Sequence, residues 1–328
     1  MSARFLLLAL SWLFSGAIHV QSASPNELLK VAGKEYLRLS DWAVGNGLVF
    51  RSSGKGAAEL SNSSSKFTFR TDSRETRANG VTIWLSFPAV LHNGSIYLSR
   101  LDLQTTLRPL LSPPKNPAGA ELKTVCLDPG HGGNDPGKCV GPFQEKKFTL
   151  LLAHEVRQQL KRAGFQVTLT RSTDVSVDLP LRPELARKQN ADLFVSLHFN
   201  SVETGRTVVR GTEVYCLTPV GASSTNARGE GSHAGWCSGN RNNNNNIFLA
   251  YQVQRALTKN PSVNDRGVRR ARFAVLRDAE MPAVLIEAAF MSHPEEGKRI
   301  FDSTYRKQLA RRIVDGVLAY KQAVEQKG

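Results

Sequence analysis

The chain is poor in sulfur and acid, and has almost no long apolar run. Its 328 residues hold four cysteines and three methionines. No two cysteines stand in C-x-x-C spacing, which argues against a cysteine-held metal. None occurs before Cys126, so the amino terminus offers no lipoprotein-type attachment point. A single apolar stretch, Phe5 to Val20, could enter a bilayer, which excludes a polytopic membrane protein. Acids number 28 against 43 Lys and Arg, a formal charge of +15. The 41% hydrophobic and 22% charged content is enough to bury a core and excludes a disordered or collagen-like chain.

The apolar stretch lies between Arg4 and the small residues Ser22, Ala23 and Ser24, so residues 1–24 read as a secretory signal peptide. The expected address is outside the cytoplasm: periplasm, wall or medium, with no stable membrane span once the signal is removed. An exported basic protein faces anionic envelope polymers rather than nucleic acid. The densest basic patch, RGVRRARFAVLR, contains Arg266, Arg269, Arg270, Arg272 and Arg277 and is either a solvated edge or a substrate-facing surface.

Residues 112–121, with SPPKNPAGA, form a Pro-rich linker. Before it, residues 25–111 alternate short apolar runs with Gly, Asn and Ser clusters and predict a small α+β module. KEYLRLSDWAVGNGL and GSIYLSRLDLQTTL look like two copies of one strand-helix unit. They resemble the module named for the amino-terminal region of copper amine oxidases, which implies an accessory or binding role. After the linker, residues 122–328 alternate strands and helices, predicting an α/β domain with a mostly parallel, twisted sheet flanked by helices. The expected strands are KTVCLDP, FQVTLTR, DLFVSLHF, GTEVYCL, FAVLR and PAVLIEAAF. Residues 219–246 show no periodicity and predict a long functional or mobile loop, ending in an asparagine run with no chemical role.

In open α/β sheets ligands bind at the carboxyl ends of strands. Three strand ends here carry chemistry: His131 after VCLDPG, His198 in VSLHFN, and Glu287 in VLIEAAF, with Glu145 shortly before the first helix. Two imidazoles and a carboxylate suit a catalytic zinc site with an open position, so His131, Glu145 and His198 are the expected Zn2+ ligands. Glu287, among apolar neighbours, is the expected proton carrier. Asp128 is expected to orient the His131 loop or its imidazole, and Arg277 is a candidate for substrate contact. His154 reads as a surface or packing residue; His233 and His293 have weaker claims on the chemistry. Four cysteines permit three full pairings; should one disulfide form, Cys139 and Cys237 in polar loops are the candidates.

The segments VCLDPGHGGNDPG, QEKKFTLLLAHEV, LPLRPELARKQNADLFVSLHFNS and RGVRRARFAVLRDAEMPAVLIEAAFMSHPEE together resemble the zinc-dependent N-acetylmuramoyl-L-alanine amidases of the Amidase_3 family. The resemblance covers about residues 122–322. It implies hydrolysis of the amide between N-acetylmuramic acid and L-alanine of the peptidoglycan stem, with His131, Glu145 and His198 on zinc, Glu287 as general base and Asn200, which matches a family position, as a candidate substrate contact. Peptidoglycan is then the partner, a monomer is expected, and the need for an activator protein stays open.

Overall fold

The computed structural model describes residues 28–54, 56–117, 120–225 and 235–326. The expected signal peptide and His233 lie outside the described residues. No helix among them is long and apolar enough to cross a membrane.

The first half runs β1 (Leu28–Val31), β2 (Lys34–Arg38), α1 (Leu39–Gly45), β3 (Val49–Ser52), β4 (Ala57–Ser61), β5 (Lys66–Arg70), β6 (Glu75–Ala78), β7 (Val81–Trp84), β8 (Val90–His92) and β9 (Ser95–Ser99). It closes with helical turns α2 (Arg100–Asp102) and α3 (Arg108–Leu111) about a π-helical turn at Leu103–Leu107. The two similar units lie side by side, β2 antiparallel to β9, each strand running into a helical turn. They form a small sheet in the order β1-β2-β9-β8.

The second half contains β10 (Thr124–Pro129), the hairpin β11 (Cys139–Val140) and β12 (Phe143–Gln144), α4 (Glu145–Arg162), β13 (Gln166–Leu169), α5 (Leu181–Lys188), β14 (Leu193–Asn200) and β15 (Thr212–Leu217). Next come α6 (Asn243–Leu257), β16 (Asp265–Ala271), α7 (Ala274–Arg277), β17 (Ala283–Phe290), α8 (Pro294–Phe301) and α9 (Ser303–Glu325). An 11-stranded sheet has the order β13-β10-β14-β17-β15-β16-β7-β6-β5-β4-β3. It is mixed: β13, β10, β14 and β17 run parallel, while β15 pairs antiparallel with β17. On the far side of β17, β15 and β16 again run parallel to each other, so within residues 122–328 the sheet is mostly parallel, with one antiparallel pairing between β17 and β15.

The strands are apolar on both faces because helices cover both. Side chains alternate faces along a strand, and so do the cores. Val125, Leu127, Leu193, Val195, Val284 and Ile286 join the large core with α4, α6 and α9. Cys126, Phe194, Tyr215, Ala283 and Leu285 join a smaller one with Ala186 of α5 and Val275 and Leu276 of α7. On this second face α5 and α7 are only 8 and 4 residues long. By the same alternation Asp128, His198, Glu213 and Glu287 have the parity of the smaller core.

Three local expectations are corrected. FAVLR is the helical turn α7 rather than a strand; four residues are too short for periodicity to separate the two. The 219–246 segment becomes regular at Ser238, where a 3-10 turn leads into α6. The asparagine run there does structural work: Asn246 accepts from the Ala283 amide at 2.8 Å and Asn245 from the Tyr320 hydroxyl at 2.8 Å. The basic patch is largely β16, and Arg270 is buried rather than solvated. Pro109 has no N–H to offer the Thr105 carbonyl, and Arg270 Nη2 donates to that oxygen at 2.7 Å, tying the first half to the second.

Candidate active site

Register brings the chemistry together. His198 and Glu287 are direct partners on parallel β14 and β17, and Glu213 of β15 is the antiparallel partner of Glu287 on its other side. Glu145 is the first residue of α4, where the helix terminus favours a carboxylate. A cavity of about 350 Å³ is lined by His131, Glu145, His198, Asn200 and Glu287, with Phe273 and Leu179 among its apolar walls.

The Glu145 carboxylate is the hub. Oε2 lies 3.1 Å from His131 Nε2 and accepts from the Lys138 amide at 3.0 Å. Oε1 lies 3.1 Å from His198 Nδ1 and accepts from the Phe199 amide at 3.1 Å. Burial pushes this carboxyl up, but the hydrogen bonds and charges of the two imidazoles outweigh it and hold it well below the usual carboxylate range. Burial pulls His131 down, and Glu145 and Asp135 more than reverse that. The donor atoms of His131, Glu145 and His198 lie within 4.8 Å of one another.

Glycines leave room for this set. A Cβ on Gly130 would come within 2.2 Å of the His198 ring, and one on Gly137, at φ +64°, within 2.8 Å of the Glu145 carboxylate. His131 itself takes φ +62°, an uncommon backbone for a non-glycine residue. Two guanidinium groups hold its loop. Arg171 donates to the carbonyls of Pro129 at 3.0 Å and Gly130 at 2.9 Å. Arg182 donates to those of Pro129 and His131, both at 3.0 Å.

Asp128 serves this loop at one remove. It accepts from Arg182 at 2.8 Å, Thr170 at 2.6 Å and Ser196 at 2.8 Å, all buried. The acceptor beside the His131 imidazole is Asp135, 2.7 Å from Nδ1, so of the two roles expected of Asp128 the structure gives it the loop, through Arg182, and not the ring. Asp135 stands four residues on in HGGND, within the motif that drew attention to His131. Arg171 and Glu213 were equally missed, each inside or beside a run that reads as plain strand.

Glu287 is different from Glu145. Burial first, then the charges of Glu145 and Glu213, push its carboxyl well above the usual range. Its Oε2 is buried without a hydrogen-bond partner. Asn200 lines the cavity, its Nδ2 donating to Glu213 at 2.8 Å. Arg277 does not join the lining; it is exposed at the far end of α7. His293 caps α8, its Nδ1 accepting from the amides of Glu295 and Glu296. The proposed disulfide is absent: all four cysteines are free thiols. Cys139 is exposed in the β11 hairpin, whereas Cys237 precedes the 3-10 turn, packs on the smaller core and faces Asn240.

The profile of the N-acetylmuramoyl-L-alanine amidases matches residues 125–319, and all four acid and imidazole groups fall within it. The chain belongs to this amidase family. The N-acetylmuramoyl-L-alanine amidase AmiC of Neisseria meningitidis serogroup B is 35% identical over 218 residues, 60% of this chain and 52% of that protein. The chain thus spans about half the length of this curated amidase. Among solved amidases, AmiC2 of Nostoc punctiforme shares 33% identity with a TM-score of 0.52, covering 62% of this chain and 99% of that one. The CwlD amidase of Clostridioides difficile, solved in complex with the GerS lipoprotein, shares 27% identity with a TM-score of 0.50, covering 60% of this chain and 98% of that one.

Proposed function

We propose that the protein is an exported, zinc-dependent amidase that hydrolyses the amide between the lactyl group of N-acetylmuramic acid and L-alanine of the peptidoglycan stem. The observation that carries this reading is the convergence of His131, Glu145 and His198 within 4.8 Å, beside the unpartnered Glu287 Oε2. Two imidazoles and one carboxylate are the donor set of a catalytic zinc site. The glycines at 130 and 137 keep that space free of Cβ atoms. Bound zinc supplies Lewis-acid polarisation of a carbonyl and lowers the pKa of water.

The chain's own groups do the rest. His131, Glu145 and His198 hold the ion. Asp135 accepts a hydrogen bond from the Nδ1–H of His131, which leaves Nε2 as its lone-pair donor. Glu287 takes a proton from the attacking water and returns it to the alanine nitrogen as the C–N bond breaks. Its upward-shifted carboxyl favours the acid form that protonates the leaving amine. Asn200 orients the substrate from the wall. The amino-terminal half is read as an accessory module with wall affinity, helped by the +15 charge, and the GerS-bound relative supports a search for an activating partner.

The deciding experiment digests purified peptidoglycan with the mature protein after chelation and after zinc restoration, with mass analysis of the products. Free stems with an L-alanine amino terminus, released only with metal, are expected. Shortened stems still joined to muramic acid would replace this reading with that of a zinc peptidase.

A further inference from the structure

Strand β16 of the second half is shaped to receive the amino-terminal half. Gly267 takes φ +91°, and a Cβ there would fall 2.8 Å from both the carbonyl oxygen and Cγ2 of Thr82, so β7 can approach this closely only at a glycine. Asp265 accepts from the Thr82 amide at 2.7 Å, and Trp84 Nε1 donates to the Arg266 carbonyl at 2.9 Å.

From this seam a connected set of side chains runs into the cavity. The Arg269 guanidinium lies 4.5 Å from the centroid of the Trp84 ring. Arg269 Nε pairs with Glu213 Oε2 at 2.8 Å, and Arg266 Nε donates to the same oxygen at 3.0 Å. Glu213 Oε1 accepts from Asn200 Nδ2 at 2.8 Å. Asn200 Oδ1 in turn accepts from the Ser201 amide at 2.8 Å, which leaves the second Nδ2 hydrogen for a substrate acceptor. Glu213 and Arg269 are 1% and 8% exposed, so water competes little for these contacts.

We propose that Trp84, Arg269 and Glu213 are positioning residues through which the amino-terminal half fixes the Asn200 amide in the cavity wall. The module is then part of the substrate-binding apparatus as well as a wall tether. The proposal rests on the reading of this cavity as the amidase site.

The test uses the full-length, zinc-loaded protein with two readouts: hydrolysis of a soluble muramoyl peptide, and hydrogen exchange of the Ser201 amide. Trp84→Leu keeps apolar bulk but loses the ring face and the N–H. It is expected to raise KM about ten-fold with kcat within about two-fold and zinc content unchanged, because binding geometry suffers and the reacting groups do not. Ser201 exchange is expected to quicken about ten-fold as Asn200 is released. Trp84→Phe, which retains a ring for Arg269, restores most of the KM. Arg269→Lys leaves the β7 seam intact, reproduces both effects, and carries the test alone if Trp84→Leu does not fold. Unchanged KM and unchanged Ser201 exchange would overturn the proposal, as would loss of kcat and zinc together without rescue by Trp84→Phe. If the wild-type protein releases no stem peptide, the amidase reading fails, and Ser201 exchange in the same variants still decides the positioning claim.

Discussion

In the second half of the chain Asp128, Glu145 and Glu213 are buried and each accepts several hydrogen bonds or ion pairs. In the first half Glu59 meets Lys66 at 2.7 Å and Arg51 at 4.0 Å with the lysine and arginine side chains mostly in solvent. Exposed pairs of the second kind contribute little, because water screens them and two long side chains must be ordered. Buried acids of the first kind are costly unless fully partnered. The contrast is one of environment rather than of function alone, since Asp102 of the first half is also buried and accepts from the Ser86 and Phe87 amides and the Ser99 hydroxyl. Glu287 is the exception that the site needs, a sunk carboxylate with one oxygen left unpaired.

The sharpest way to break this contrast is to remove that exception. Glu287→Gln is expected to slow stem release by about 10³-fold, within the usual range for loss of a general acid–base, while one zinc per chain remains by metal analysis. His131→Ala should lose both. A zinc-replete, fully active Glu287→Gln protein removes Glu287 from the mechanism.

Next in size is the structural cost. Arg182→Met leaves Asp128 buried without its cation, and urea denaturation should show a loss of about 3–5 kcal/mol. Lys66→Met, breaking the exposed pair with Glu59, should cost no more than about 1 kcal/mol. Equal losses would erase the distinction between the buried and the exposed pair. Gly137→Ala tests the room around the ligands: its Cβ must displace Glu145 or His131, and zinc affinity measured by competition with a chelator should fall about 10–100-fold.

The smallest effect concerns thiols. Cys126 is pushed by burial from 9.0 up to about 12, so at pH 8 it stays protonated and unreactive. Exposed Cys139 should react with a thiol reagent at once, and Cys126 only after unfolding. The sign for stability follows: above pH 9.0 the unfolded chain gives up the Cys126 proton that the folded chain keeps to about 12, so this contribution is lost as pH rises through that window. Rapid labelling of Cys126 in the native protein would contradict its burial.

The sequence was most legible where periodicity and strand ends coincide. His131, His198 and Glu287 follow apolar runs whose strand character is unambiguous, and β14 and β17 then bring two of them into register. The regular helices α4, α5 and α9 were equally readable from their spacing. Partners were not legible: Asp135, Arg171 and Glu213 act through contacts made across loops and strands, and no spacing in a single chain encodes them. FAVLR misled because five residues fit a strand or a helical turn equally well. The asparagine run misled because its side chains serve distant backbone groups, which composition alone reads as low complexity. The joining of both halves in one sheet lay hidden behind a linker that reads as a boundary.

That joining has a consequence for solubility. Strand β16 would otherwise present an open row of backbone donors and acceptors, and such edges recruit strands from other molecules. Pairing with β7 passes the edge outward through four antiparallel strands to β3, which is only four residues long and bears Arg51. A chain begun at residue 122 would uncover β16 with its apolar neighbours, so trimming the protein at its most obvious sequence boundary is the cut most apt to make it aggregate.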